Sequence, residues 1–195
     1  MAKAKTFIKL LLSIMLLHSS QSHAIDLLKY TKNLEKNTSD ESAKGTIIGI
    51  LGTCGNQYNL NDSCVLSGLE RVSTEEGNTL AKSILEDYQN ALNETDPECQ
   101  NENFKTVKRT IGHCILLMNY YSIEYNDNEG ALNQYETCLQ GGMTGLAYQG
   151  ILPAAYLLGQ VFQDKGVETT ADTWIKFFNS KKGTEEYDLV LKCFS

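Results

Sequence analysis

The spacing of apolar residues along the chain predicts helices almost throughout, with little of the alternation that marks strands. In Thr79–Leu92, apolar side chains recur every three or four residues and charged side chains lie between them. The same spacing runs through 104–122, and a stripe of this kind is typical of an amphipathic helix. The stripe in 104–122 consists of Phe104, Val107, Ile111, Cys114, Met118 and Tyr121.

Helix start and stop signals place further helices in the second half of the chain. Asp127 is suited to cap a helix over 128–139, which Gly141 and Gly142 would end. Pro153 fits the first turn of a helix over 153–163, and Thr170 is suited to cap the next one. These later helices are predicted at 171–180 and 184–193, with 143–152 as an apolar linker.

The first half of the chain is less regular. A short helix is predicted at 25–36, followed by a polar loop at 37–44. The apolar segment 45–55 contains Gly45, Gly49, Gly52 and Gly55. It is interpreted either as a buried helix whose glycines admit a close neighbour, or as a loop with a short strand.

The first 24 residues have the pattern of a secretory signal peptide. Lysines at positions 3, 5 and 9 precede a short apolar core, and small polar residues lead to Ala24. The alternative is an amphipathic helix that stays attached. The apolar core is too short to span a bilayer, which takes about 20 residues. We therefore expect cleavage after Ala24, export to a bacterial periplasm or the exterior, and one helical domain over 25–195.

Net charge narrows the class of partner. Without the leader, 14 basic residues face 24 acidic ones, which gives a net charge of −10. A negative field disfavours nucleic acid and anionic membranes. We therefore expect no nucleic-acid partner and no transmembrane segment after cleavage of the leader, although simple solubility also explains the charge.

Six cysteines follow the predicted cleavage site, and an even number in an exported chain predicts disulfides. The cysteines are Cys54, Cys64, Cys99, Cys114, Cys138 and Cys193. Proximity along the chain suggests the pairs Cys54–Cys64, Cys99–Cys114 and Cys138–Cys193. The alternative leaves one thiol free and reactive.

No motif for catalysis or cofactor binding is found. The chain lacks G-x-S-x-G and a lysine-bearing phosphate loop, and residues 126–130 only superficially resemble a calcium loop. His113 is the single histidine after the predicted leader, which removes any site with two histidine ligands. His113 and Cys114 are neighbours on a helix and point in different directions. We expect no catalytic residue, cofactor or metal.

A pattern of small and aromatic residues occurs twice. The clearer unit contains Ala155, Tyr156 and Gly159 in one helix, Gly166 in the turn, and Ala171 and Trp174 in the next helix. A second unit contains Gly112, Ala131 and Tyr135. Small residues let paired helices approach closely, and aromatic side chains fill the space towards the next pair.

These residues resemble the Sel-one-like repeat family, a branch of the tetratricopeptide-like helical repeats, over 104–178. The resemblance implies an all-α fold of stacked antiparallel helix pairs that binds another protein and carries no chemistry of its own. Exposed tyrosines at such a surface suit peptide contacts, and Tyr120, Tyr125 and Tyr148 are the candidates. Alternatives are an exported helical hydrolase or small-molecule-binding domain, and a structural component of an envelope assembly.

Overall fold

The computed structural model describes residues 41–56 and 59–194, which are helical apart from one short hairpin. The predicted leader and the predicted helix 25–36 lie outside the described residues. A 3-10 turn at Pro97–Gln100 precedes the fourth helix, and strands β1 (Gly55–Asn56) and β2 (Asn59–Leu60) pair antiparallel. The eight α-helices of this described part are α1 (Glu41–Thr53), α2 (Asp62–Glu75), α3 (Thr79–Leu92), α4 (Glu102–Tyr125), α5 (Asn128–Tyr148), α6 (Leu152–Asp164), α7 (Glu168–Asn179) and α8 (Glu185–Phe194).

Short polar side chains begin four of the helices. The side-chain oxygens of Asn61, Asn78, Asn101 and Asp127 each accept the backbone N–H three residues further on, at 2.9–3.0 Å. Each bond satisfies one of the N–H groups that a helix leaves without a partner at its start. The predicted cap at Asp127 is therefore confirmed.

The predicted cap at Thr170 is wrong, since α7 begins at Glu168 and Thr170 lies inside it. The preceding turn explains the shift. Gly166 adopts a left-handed conformation with φ of +69°, which glycine tolerates readily. The N–H of Val167 donates to the Phe162 carbonyl at 2.9 Å, so a tight turn leads directly into α7.

Helix α5 continues through Gly141 and Gly142 to Tyr148, so the predicted stop is wrong and most of the predicted linker is helical. Two glycines cost a helix about 2 kcal/mol relative to alanine. Tertiary packing offsets that cost, because Met143 and Ala147 are buried in the core. At Gly142, a Cβ atom would lie 2.5 Å from Cγ2 of Thr110 on α4, so the glycine lets the two helices approach.

Helix α1 also differs from expectation, because it begins inside the predicted loop 37–44 and takes up most of 45–55. Helix and strand both occur in that segment, since β1 starts at Gly55. Gly45, Gly49 and Gly52 meet no atom within 4 Å of an added Cβ. They do not accommodate a close neighbour among the described residues, contrary to the first interpretation.

Neighbouring helices along the chain are neighbours in space. From α2 to α7 each helix packs on the next, while α1 lies against α2, α3 and α4, and α8 packs on α6 and the 3-10 turn. The buried apolar residues form three clusters. The central cluster contains Tyr135 and Trp174, the N-terminal cluster contains Ile47 and Ile84, and the C-terminal cluster contains Phe104.

Gly159 is a point of close approach between α6 and α7. A Cβ atom there would lie 2.9 Å from Cγ1 of Ile175 and 3.5 Å from its backbone nitrogen. Real Cβ atoms do not approach another carbon so closely without a shift of the packed helices. Gly159 therefore allows α6 and α7 to pack closely.

All six cysteines form disulfides: Cys54–Cys64, Cys99–Cys193 and Cys114–Cys138. The predicted pair Cys54–Cys64 is confirmed, whereas the pairs Cys99–Cys114 and Cys138–Cys193 are wrong, as is the free-thiol alternative. Proximity along the chain failed because α4 and α5 fold back on one another and α8 returns to the 3-10 turn. Three-dimensional packing therefore decides the second and third bridges.

Candidate protein-binding surface

Most residues of the repeat pattern lie in the interior. Ala131, Tyr135, Ala155 and Ala171 are buried, and Trp174 is nearly so. The Tyr156 ring is partly buried and packs against Phe178, with 4.9 Å between ring centroids. These side chains hold the helices together and are not available to a partner.

Gly112 lies at a different contact from the one expected. A Cβ atom there would lie 2.8 Å from the Tyr88 ring, so Gly112 faces α3 rather than α5. The contact between α4 and α5 relies instead on Gly142 beside Thr110. The two predicted units therefore use their glycines differently, because only Gly159 faces the second helix of its own unit.

The three candidate tyrosines have different environments. Tyr120 is partly buried and packs against the N-terminal cluster, and burial raises the pKa of its phenol. Tyr125 is 51% exposed and its ring lies 4.7 Å from the Tyr121 ring. Tyr148 is 79% exposed. Two of the three are therefore accessible, and Tyr120 is not an exposed anchor.

The exposed tyrosines do not form one patch. Tyr125 ends α4, just before α5 begins, and Tyr148 is the last residue of α5. A helix of 21 residues is about 30 Å long at 1.5 Å per residue. Tyr125 and Tyr148 therefore lie near opposite ends of α5, and one short peptide segment does not reach both.

The Tyr148 side chain is exposed to solvent, yet its ring packs against a buried aromatic ring. Its ring meets the Trp174 ring edge to face, with 5.2 Å between centroids and 79° between planes. Trp174 is only 9% exposed and belongs to the central cluster. Aromatic pairs in this geometry contribute about 0.5–1.5 kcal/mol beyond their burial. The Tyr148 side chain is thus presented to solvent on a fixed base, which lowers the entropy that binding would cost.

A polar pair that the sequence did not reveal links α2 to α4. Nδ1 of His113 lies 2.6 Å from Oδ1 of Asp62, and both side chains are about 30% exposed. At this distance the Nδ1–H group of His113 can donate a hydrogen bond to the Asp62 carboxylate, which orients the imidazole ring. Nearby, burial raises the pKa of Tyr88, and the Asp62 charge adds to this effect. The partners are 51 residues apart, so no local spacing predicts the pair.

Within 41–56 and 59–194, no three or more His, Cys, Asp or Glu side chains are grouped so that they could hold a metal ion. None of the helices in these ranges is both long and apolar enough to cross a membrane.

No protein-family model, curated protein or solved structure matches the chain. The described residues define an all-helical protein whose helices are joined by three disulfides.

Proposed function

We propose that this chain is an exported helical repeat protein of the Sel-one-like type that binds another protein through the surface around Tyr148. Three disulfides support export, because such bonds persist in oxidising compartments. The packing of each helix from α2 to α7 on the next supports a stacked arrangement. Bacterial periplasm and extracellular space both suit these features.

The observation that carries the proposal is the exposed Tyr148 ring on its buried Trp174 support. Residues that contribute most to protein interfaces are enriched in tyrosine and tryptophan. A tyrosine has few rotatable bonds, so its large apolar area is buried at a low entropic cost. The hydroxyl group adds a hydrogen bond at the rim of such an interface.

Site-specific photo-crosslinking in the native compartment tests this surface. A photoreactive phenylalanine at position 148 should give one discrete adduct, whereas the same residue at the exposed position 82 should give none. Tyr148→Ser should abolish co-purification of the partner identified in this way. Tyr125→Ser, which removes the other exposed tyrosine, should retain it.

Equal adducts at positions 82 and 148, or full co-purification with Tyr148→Ser, would refute the proposal. A folding defect is separable from lost binding, because Tyr148 contributes little buried area. Loss of the contact with Trp174 should therefore lower the thermal unfolding midpoint of Tyr148→Ser by only a few degrees.

A hydrolase is the second candidate, and the contact between Asp62 and His113 favours it. A histidine oriented by a carboxylate is the arrangement that general-base catalysis uses. The test is turnover of a panel of chromogenic carboxylic and phosphate esters by the intact protein and by His113→Gln. Turnover that disappears in His113→Gln supports this candidate, and absence of turnover by the intact protein excludes it for these esters.

A further inference from the structure

A polar cleft opens between the end of α3, the connector that contains the 3-10 turn, and the first turns of α4. Its volume is about 580 Å³, within the range of about 300–1,000 Å³ that small-molecule sites occupy. The residues that matter for its chemistry are Gln89, Asn90, Asn93, Gln100, Lys105 and Lys108. The cleft shares no residue with the contact between Tyr148 and Trp174.

The wall of the cleft is held in place by a partly buried ion pair. Lys108 is 8% exposed and its ammonium group bonds directly to the Glu94 carboxylate. The same carboxylate accepts the backbone N–H of Asp96 at 2.9 Å, and the Gln100 amide donates to the Glu94 carbonyl at 3.1 Å. The connector that forms one side of the cleft is therefore ordered before any ligand arrives.

The C-terminal helix reinforces the same connector. Cys99 in the 3-10 turn is bonded to Cys193 of α8, and Lys192 forms ion pairs with Asp96 and Glu98 at 2.5 and 2.6 Å. These two carboxylates raise the pKa of Lys192, so the ammonium form is retained. The disulfide and these ion pairs thus fix the connector to α8, which lies far along the chain.

Carboxamides supply four of the nine lining residues, namely Gln89, Asn90, Asn93 and Gln100. The Gln100 amide group already donates to the Glu94 carbonyl. A carboxamide carries a donor and an acceptor side by side. Such a pair matches two adjacent hydroxyl groups, each of which both donates and accepts. The chemistry therefore selects a ligand with many hydroxyl groups.

Lys105 adds a positive charge at the mouth of the cleft. Its ammonium group contacts the Glu102 carboxylate at 3.1 Å, and both side chains are largely exposed. Exposed ion pairs of this kind contribute little and exchange partners easily. Lys108, in contrast, is already neutralised by Glu94. One exchangeable ammonium group remains for a negatively charged group of the ligand.

We propose that this cleft binds a short saccharide that carries carboxylate groups, as in chains of uronic acid. The carboxamides hold the hydroxyl groups, and the Lys105 ammonium group pairs with a carboxylate. The proposal does not depend on the protein-binding surface, since Tyr148→Ser should leave saccharide binding unchanged.

The proposal is tested by titrating the full mature chain with tetragalacturonate and monitoring the amide chemical shifts of the protein. The expected result is saturable binding with shifts concentrated in residues 89–108, and weaker binding of a neutral tetrasaccharide of galactose. Asn90→Leu and Lys105→Met should each weaken binding by about tenfold. The matched controls are Asn133→Leu on the exposed face of α5 and Lys82→Met, whose lysine also faces a glutamate of its own helix.

Each contrary result overturns the assignment. Absence of saturation at millimolar concentrations rules out the saccharide site, and shifts located away from 89–108 rule out the cleft. Equal affinity for the neutral tetrasaccharide overturns the acidic ligand and the role of Lys105. Equal losses in the variants and in their matched controls show that the effect is not local to the cleft.

Discussion

The disulfide between Cys99 and Cys193 should contribute more to stability than the one between Cys54 and Cys64. The first bridge closes a loop of 94 residues and the second a loop of 10. In the chain-entropy account, a bridge stabilises the native state by restricting the unfolded chain, and the restriction grows with loop length. The perturbation is replacement of both cysteines of one bridge by alanine.

The expected magnitudes follow from those loop lengths. Chain entropy gives about 4.7 kcal/mol for the longer loop and about 2.7 kcal/mol for the shorter one. Cys54 and Cys99 are similarly buried, at 9% and 3% exposure, whereas Cys64 is exposed and Cys193 is partly buried. The packing loss is therefore larger for the Cys99–Cys193 variant and adds to the entropic difference. The difference in unfolding free energy between the two variants should be at least about 2 kcal/mol.

Guanidinium-induced unfolding, monitored by the circular dichroism of the helices in the absence of reductant, measures the unfolding free energy of both variants. The Cys114→Ala/Cys138→Ala variant, which opens a loop of 24 residues, should fall between the other two at about 3.4 kcal/mol. Two-state behaviour and comparable denaturant slopes are needed for the comparison. The entropic ordering is refuted if removing the bridge of the 10-residue loop lowers the unfolding free energy as much as, or more than, removing the bridge of the 94-residue loop.

Four further substitutions are expected to change stability. Gly159→Ala should lower the unfolding free energy by about 1 kcal/mol in the same denaturation assay, because the cost of overpacking exceeds the gain in helix propensity. Gly141→Ala should raise the unfolding free energy by about 0.5–1 kcal/mol, because an added Cβ atom there meets no neighbour. Lys108→Met should cost about 1–2 kcal/mol at pH 7 because it leaves the partly buried Glu94 carboxylate without its partner. Burial opposes ionisation of Glu94, yet the hydrogen bond from Lys108 keeps the pKa of Glu94 below 4.5. The intact protein should therefore lose this stabilisation as the pH falls through that pKa. The Lys108→Met variant should instead lose stability as the pH rises above about 4.5. Burial and a neighbouring carboxylate raise the pKa of Asp164. Asp164→Asn should therefore raise the thermal unfolding midpoint at pH 7. Below about pH 3.8 it should have no effect, because the carboxyl group is then protonated in both the folded and the unfolded protein.

The sequence predicts the helices best where one face is continuously apolar. The predicted segment Thr79–Leu92 coincides with α3, and the predicted helix 104–122 lies within α4. In both segments the apolar spacing and an asparagine cap give the same answer. Where local signals conflict with packing, packing prevails, and α5 passes through Gly141 and Gly142 because buried residues follow them.

The pairing of Cys114 with Cys138 was available from the sequence in principle. The two positions are equally far from Asn126, which ends α4 in a left-handed conformation with φ of +51°. Two antiparallel helices bring together positions that are equidistant from their turn. The predicted cap at Asp127 already marked that turn, so symmetry about the turn was a better guide than chain distance.

The remaining contacts depend on elements far apart in the chain. Cys99 meets Cys193 because α8 packs on α6 and the 3-10 turn, and no spacing rule anticipates that return. The contact of Asp62 with His113 has the same cause, since it requires the packing of α2 near α4.

Each of the three apolar clusters contains one disulfide, and this distribution connects stability with the two proposed sites. Cys54 belongs to the N-terminal cluster, Cys114 to the central one and Cys99 to the C-terminal one. Trp174, which supports Tyr148, lies in the central cluster, whereas Cys99 also lines the polar cleft. Loss of the Cys99–Cys193 bridge should therefore disturb the cleft directly, while the Tyr148 surface depends on the cluster that Cys114 and Cys138 join. Different disulfides stabilise the two surfaces. Variants that lack one disulfide at a time should therefore show which disulfide each binding site requires.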